Sequence, residues 1–352
     1  MKTIHIGIIG CGVIAPAHIE SYLLLPDVKI DWACDLLPER AGKIAQRYGI
    51  PKTTTVATDV FSDPEVDGVS ICTPHDAHAP LCVQALASGK DVLCEKPLSS
   101  SPEGLSSMLK AAEQYPDGIF AAIFQHRFTF LYQTLKELIE NGKFGKPLTA
   151  AMRHHCLRTP EYYRKDAWRG TWAHEGGGTL INQSIHFLDL LQWVMGGVQD
   201  CQGFFANIGH RDVIETEDTL VGTLRFRNGA LGTIETTNAS NLSWETSIDI
   251  HGTEGSVEIR DDEIRQAVFT DPDARRLLEK AIEKDKANAS KMVGKAYYGL
   301  GHPANIADFV SSVRNRTRPY VDVRDAAVTT ALVHKLYAAS RRARGDSGCT
   351  PL

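Results

Sequence analysis

The chain has 352 residues, 43% hydrophobic and 23% charged, a balance that suits packed globular domains and argues against disorder, collagen and coiled coil. With 38 basic against 43 acidic residues the net charge is -5, so a broad phosphate-binding surface for nucleic acid is not expected. At roughly 100 to 200 residues per domain, this length implies two cores. No apolar run approaches the ~20 residues that cross a bilayer, so no membrane partner is expected. The opening stretch Met1 to Ile9 has neither the long apolar core nor the small-residue cleavage site of a signal peptide. Cysteines at 11, 34, 72, 82, 94, 156, 201 and 349 form no CxxC pair, which speaks against a disulfide framework or a zinc site and for reduced thiols in a cytoplasm.

In chain order, the first third alternates brief apolar runs with helical patterns. The runs are Ile4 to Ile9, Val28 to Cys34, Gly68 to Cys72, Asp91 to Cys94 and Ile119 to Phe124. Between them, Pro16 to Leu24, Pro38 to Tyr48, Ala79 to Ser88 and Pro102 to Gln114 carry apolar residues at helical spacing. Short strands that alternate with helices predict a doubly wound parallel sheet, buried on both faces, over residues 1–126.

Past 126 strand follows strand. Asn228–Gly229 between Thr219 to Phe226 and Ala230 to Thr237 predicts a tight hairpin, and Gly252 to Gly255 joins Thr246 to His251 with Ser256 to Ile259. With Thr149 to His155 and Gln202 to Asn207 these make an open, mostly antiparallel sheet of about six strands. Helices over Leu131 to Asn141, Thr179 to Met195, Asp273 to Ala287, Pro303 to Asn315 and Val323 to Arg342 cover one face, so residues 127–352 form an α+β domain. Its other face is expected to pack against another copy of the chain. The charged stretch Asp261 to Lys295 has no clear path.

Several residues carry chemistry by position. Gly10, Cys11, Gly12, Val13, Ile14 and Ala15 read G-x-G-x-x-A where a strand turns into a helix, the pattern that cradles a dinucleotide diphosphate; a loop using glycine only for its turn is the alternative. Asp35 ends the second strand, where a carboxylate accepts from an adenosine ribose and repels a 2'-phosphate, favouring NAD over NADP; the other reading is a loop acid that caps backbone N–H groups. Thr73, Pro74, His75 and His78 follow the third apolar run, and Glu95 and Lys96 the fourth, on the edge where such sheets bind ligands. Lys96 suits proton chemistry if burial against a cofactor lowers its pKa, and is otherwise a surface lysine. Gly176 to Gly178 open a helix on which Asn182, His186 and Asp189 share a face. Gln125 and Arg127 lie at the domain junction. Tyr162, Tyr163, Trp168 and Arg169 offer an aromatic wall for a sugar ring, or a core or subunit contact. Of His154 and His155 only one can face a given side of a strand, and Glu217 and Asp218 point oppositely, so no metal is expected. His302 either closes a pocket or packs.

The combination of Gly10 to Ala15, Thr73–Pro74 with His78, Glu95–Lys96–Pro97, and Gly176 to Gly178 with His186 and Asp189 resembles the Gfo/Idh/MocA family of glucose-fructose oxidoreductases, inositol dehydrogenases and rhizopine-catabolism enzymes, over nearly the whole chain. The resemblance implies a catalytic or substrate-orienting role for Lys96, a cis Lys96–Pro97 bond, a proton-exchanging His186, and a homodimer or homotetramer formed through the second sheet. Where the family usually has aspartate this chain has Asn182, an amide that orients a hydroxyl but holds no charge.

The expectation is therefore an oxidoreductase that passes hydride between NAD, with NADP possible, and a ring carbinol of a sugar, sugar derivative or polyol. Lys96, His186 and Asn182 carry the chemistry. Gly10, Gly12, Val13, Ile14, Asp35, Thr73, Pro74, His75, His78, Glu95, Lys96 and Gln125 hold the cofactor, and Lys96, Arg127, Tyr163, Trp168, Arg169, Asn182 and His186 the substrate. An NADPH-linked keto-sugar reductase, an NAD-dependent glycoside hydrolase and a non-catalytic dinucleotide sensor are the rivals. Loops at 154–175 and 296–303 are expected to select the sugar.

Overall fold

The computed structural model describes residues 2–288 and 300–343. Cys349 and the 296–299 part of the expected selectivity loop lie outside the described residues. Two compact units separate: Met1–Phe128 with Asn288–Ala327, and Thr129–Ala287 with Val328–Leu352. The first crossing falls beside the change of pattern near 126. The return of 288–327 to the first unit leaves no mark in the sequence, because its helix has the same amphipathic spacing as any other.

In the first unit six strands, β1 (Ile4–Ile9), β2 (Val28–Cys34), β3 (Lys52–Thr54), β4 (Gly68–Ile71), β5 (Asp91–Cys94) and β6 (Phe120–Ala122), form a parallel sheet in the order β3-β2-β1-β4-β5-β6. That is the strand order of dinucleotide-binding folds. Helices α1 (Ala15–Leu23), α2 (Pro38–Tyr48), α3 (Ala57–Ser62), α4 (His75–Ala87) and α5 (Pro102–Gln114) connect them. Burial of Ile4, Ile6, Ile8 and Leu93 with Ile19 and Tyr22 of α1 explains why these runs are almost wholly apolar. β3 and α3 escape the sequence pattern: Lys52, Thr53 and Thr54 are polar, partly or fully exposed, and held only by pairing to β2 at the sheet's edge.

The second unit begins with α6 (Phe130–Glu140), β7 (Pro147–Leu157) and the short α7 (Pro160–Arg164). A π-helical turn over Leu180–Ser184 then runs into α8 (Ile185–Val194). Strands β8 (Val198–Ala206), β9 (Thr219–Phe226), β10 (Leu231–Thr237), β11 (Ala239–Gly252), β12 (Gly255–Arg260) and β13 (Glu263–Phe269) precede α9 (Pro272–Asn288). The sheet order is β13-β12-β11-β7-β10-β9-β8. The strand count needs correction here, whereas the mostly antiparallel pairing holds. The sheet has seven strands rather than six, because β13 lies in the charged stretch whose alternation is weak, and β7 pairs parallel with β10 inside an otherwise antiparallel sheet. The β9–β10 turn is the expected Asn-Gly hairpin, with Gly229 at φ +90° and the Asn228 carboxamide oxygen accepting from Ala230 N–H. Leu220, Leu224, Phe226 and Ile234 face inward with Ile185, Leu188 and Leu191 of α8, whereas Val221, Thr223 and Arg225 stay outside, so helices cover one face only.

The helix α10 (His302–Asn315) belongs to the first unit, where Ile306, Phe309 and Val310 join the core of the parallel sheet; α11 (Val323–Ala343) ends the described chain. Among the described residues no helix is long and apolar enough to cross a membrane.

Candidate functional site

Candidate residues occur in both units, and each cluster is built by its own unit. In the parallel sheet, Cys34, Ile9, Ile71, Cys94 and Ala122 stand in one row across β2, β1, β4, β5 and β6. Gly10, Asp35, Thr73, Glu95, Lys96 and Gln125 all follow that row within three residues. Register alone therefore gathers them on the carboxyl edge of the sheet, where a crevice forms in this topology.

Gly10 is required by geometry: its φ is +92°, and a Cβ would stand 2.6 Å from the Cys72 carbonyl oxygen. Gly12 is the opposite case, with nothing within 4 Å of where its Cβ would be. The N-cap of α1 is Ile14, whose apolar side chain offers no hydrogen bond to the first N–H groups of the helix. Thr73 Oγ1 is buried and has no hydrogen-bond partner among the described residues. An open glycine, uncapped helix N–H groups and an orphaned hydroxyl at one strand edge fit a dinucleotide diphosphate. Asp35 takes up the second of its two sequence readings, an acid that caps backbone N–H groups. Oδ2 accepts from Cys11 N–H at 2.8 Å and Oδ1 from Leu37 N–H at 2.9 Å, which ties the glycine loop to β2 and leaves further lone pairs on each oxygen for ribose hydroxyls.

Beside Lys96 the structure adds a partner that the sequence did not suggest. Glu95 is buried, and its Oε1 meets His18 Nε2 at 3.0 Å while Oε2 accepts from Lys96 N–H at 3.0 Å. His18 Nδ1 lies 3.2 Å from Ser70 Oγ. Burial works to raise the Glu95 carboxyl, but the His18 hydrogen bond and the neighbouring positive charges bring it down to about 2. Glu95 thus orients the lysine's backbone. The Lys96–Pro97 bond is cis. His78 sits between two loops, with Nδ1 2.7 Å from the Pro97 carbonyl and Nε2 3.0 Å from the Thr73 carbonyl. Carbonyls only accept, so the doubly protonated ring satisfies both contacts. Burial opposes that charge, yet Cys94 and the two carbonyls outweigh it and hold the imidazole up at about 9. His75 begins α4 behind the N-cap Pro74, with its ring 5.8 Å from that of His78. Val13 is exposed beside Gly12, whereas Gln125 and Arg127 are buried in a 3-10 turn over Gln125–Phe128. His302 opens α10 fully buried, edge-on to His18, which is a packed position.

In the second unit the glycine run leads into the π-turn rather than directly into α-helix, a correction to the continuous helix expected over Thr179 to Met195. A π-turn inserts extra backbone and changes which side chains share a face. Asn182 lies in this turn and His186 in the first turn of α8. The turn is held by Glu217, whose Oε2 accepts from Gly178 N–H at 2.8 Å and Oε1 from Leu180 N–H at 3.0 Å and Tyr337 OH at 2.7 Å. Burial pushes the Glu217 carboxyl up to about 7 despite these donors. Asp218 accepts from the N–H groups of Ile208, Gly209 and His210. The two acids therefore serve backbone, just ahead of β9. Glu175, next to the glycines and 1% exposed, accepts from Asn182 Nδ2 and Gly170 N–H. The only sequence signal for it was an acid placed before a glycine run.

Tyr162 OH takes Arg169 Nη1 at 2.5 Å and Gln183 Nε2 at 3.4 Å, and the Arg169 guanidinium lies 4.4 Å from the Tyr162 ring and 4.5 Å from that of Trp168. Tyr163 is buried and accepts from Asn238 Nδ2 at 2.8 Å, a core placement. Asp189 Oδ1 accepts from Thr329 OH at 2.6 Å, the packing role expected of it. His154 faces the helices, with Nδ1 3.0 Å from Ser184 Oγ, and His155 faces outward to Glu235.

These features define an oxidoreductase built on a dinucleotide fold. Residues 4–121 match the oxidoreductase family with an NAD-binding Rossmann fold, and residues 132–258 match the GFO/IDH/MocA C-terminal domain. The chain is 30% identical over 269 residues to the uncharacterized oxidoreductase YrbE of Bacillus subtilis, covering 72% of this chain and 73% of that one. It is 27% identical over 311 residues to levoglucosan dehydrogenase of Pseudarthrobacter phenanthrenivorans, covering 78% and 79%. Among solved structures, the WlbA dehydrogenase of Bordetella pertussis, crystallised with NADH and UDP-GlcNAcA, superposes with a TM-score of 0.88 at 28% identity over 97% of this chain and 96% of that one. The chain belongs to the Gfo/Idh/MocA family and is an NAD(P)-dependent oxidoreductase of that family.

Proposed function

We propose that this oxidoreductase transfers hydride between NAD and a ring carbinol of a sugar, sugar derivative or polyol. The observation that carries the reading is the row of strand ends in the parallel sheet, beyond which the open Gly12 loop, the Thr73 hydroxyl and Lys96 all emerge on the cofactor-binding edge. The names of two relatives, one acting on levoglucosan and one crystallised with UDP-GlcNAcA, support a sugar as substrate.

Asp35 favours NAD, since its carboxylate repels a 2'-phosphate. The bound nicotinamide supplies the hydride acceptor. In the oxidative direction the carbinol loses its C–H as hydride and its O–H proton to His186 or Lys96, giving the ketone. The Lys96 ammonium stabilises charge developing on the oxygen, and Asn182 holds the hydroxyl in line. Gln125 adds to the cofactor contacts, and Arg127, Trp168 and Arg169 to those of the substrate, whereas Tyr163, expected to join them, is used by Asn238 in the core. A panel of sugars, inositols and glycosides, scored by NADH absorbance with NAD and with NADP, tests this reading. Oxidation of one class that Lys96→Ala and His186→Asn both abolish supports it. Cleavage of aryl glycosides without net NADH replaces it with the hydrolase, and near-wild-type turnover by Lys96→Ala removes the assigned chemistry.

The open face of the second sheet carries Phe204 opposite Val221, 67% and 52% exposed, and is the surface proposed to pair with another copy of the chain. Light scattering of Phe204→Asp with Val221→Lys is expected to show a smaller species than wild type. An unchanged mass contradicts the pairing.

A further inference from the structure

An asparagine side chain is nearly symmetric in shape, so packing does not choose which of its two polar atoms faces a neighbour; hydrogen bonding does. Asn182 has such a chooser. Glu175 Oε1 accepts from Asn182 Nδ2, and Glu175 Oε2 accepts from Gly170 N–H. Tyr162 OH lies 3.5 Å from the same Nδ2. A carboxylate accepts only, and only the NH2 end of the amide can face it. The second polar atom of Asn182 is therefore Oδ1, an acceptor.

We propose that Glu175 is a positioning residue for Asn182: its carboxylate turns the amide so that Oδ1 receives the substrate hydroxyl, and it carries beside position 182 the negative charge that an aspartate there would carry itself. This rests on the reading of Asn182 as the residue that orients the hydroxyl. Two phenols stand beside the pair: Tyr162, which takes Arg169 Nη1, and Tyr163, which is pushed up by burial and then by Glu175. Phenols are neutral near pH 7, so neither of these two puts a charge on the amide.

The arrangement is reversible on paper. In Asn182→Asp two carboxylates face each other, and one must take up a proton. In Glu175→Gln the new amide meets Gly170 N–H with its oxygen and Asn182 with its NH2, so Asn182 must flip and present a donor. In the double variant Glu175→Gln with Asn182→Asp, the introduced glutamine accepts from Gly170 and donates to the introduced aspartate, and every contact is satisfied again.

The test measures kcat, KM and their pH dependence for wild type, both single variants and the double, on the sugar that wild type oxidises, with Lys96→Ala in parallel. Each single variant is expected to lose about tenfold or more in kcat/KM, the Asn182→Asp loss deepening as pH rises, with the double recovering to within about fivefold and a flat profile, as coupled residues do. Losses that multiply in the double variant, or an Asn182→Asp profile parallel to wild type, overturn the proposal. Should one single variant not fold, the double decides. Activity near wild type supports the coupling, and an inactive but folded double defeats it. If Lys96→Ala turns over like wild type, the reading of the whole site fails. If it is dead while the Glu175 and Asn182 effects multiply, only this inference does.

Discussion

Glu95 in the first unit and Glu217 in the second are both buried beside glycine-bearing or proline-bearing loops, yet their protons are held in opposite senses. Glu95 faces His18 and is drawn down to about 2, whereas Glu217 has backbone N–H groups and a tyrosine hydroxyl for partners and is pushed up to about 7 by burial. Hydrogen bonds satisfy both carboxylates. What separates them is the imidazole, because dipoles alone do not offset the loss of hydration at a fully buried site. The first loop is thus built to stay charged, and the second is poised to exchange a proton near neutrality.

The largest expected effect lies beside the charged loop. Lys96→Ala should lower kcat by about 10²- to 10⁴-fold, as loss of a proton-transfer or oxyanion group does, while leaving thermal stability close to wild type; steady-state kinetics and calorimetry check both. Next comes the contact between His18 and Glu95. His18→Ala leaves Glu95 buried without its imidazole and should destabilise the first unit by about 3 kcal/mol, read by amide exchange at Lys96, whose N–H bonds to Glu95. An unchanged protection factor there would show that the contrast between the two acids is not set by His18.

The pH dependence sharpens the comparison further. Glu95 is depressed from 4.5, so its stabilisation is present above 4.5 and is lost as pH falls toward about 2. Glu217 is raised from 4.5, so the folded state holds its proton more tightly, and stability declines as pH rises from 4.5 through about 7. Corrected amide protection at Gly178 and Leu180 should therefore fall over that window and become flat in Glu217→Gln. The smallest effect concerns His78. Its folded pKa is raised from 6.5, so its contribution is complete below 6.5 and fades as pH rises through about 9. The ¹⁵N shifts of its ring should show an imidazolium at pH 7. A neutral ring there would contradict the two-carbonyl geometry.

Much of the first unit was legible because its signals are local. Strand, glycine turn and helix succeed one another within a few residues, and an apolar run such as Ile4 to Ile9 has no alternative but a buried strand. The hairpin at Asn228–Gly229 is legible for the same reason. β3 and β13 were not, since edge strands with polar or charged side chains form by pairing to a neighbour and leave little hydrophobic alternation to read. The π-turn over Leu180–Ser184 was missed because an extra residue in a helix hardly disturbs apolar spacing in so buried a segment.

From the sequence alone came four helices and every strand but β3 of the first unit's parallel sheet, the glycine cradle, and the candidacy of Lys96, Asn182 and His186, each carried by a motif of residues close together in the chain. Tertiary structure alone decided what surrounds them. His18 reaches Glu95 across 77 positions and Glu217 reaches Gly178 across 39, contacts between residues that no periodicity links. Charge state in a buried site depends on such partners and on the water they replace, and both exist only once distant segments have packed.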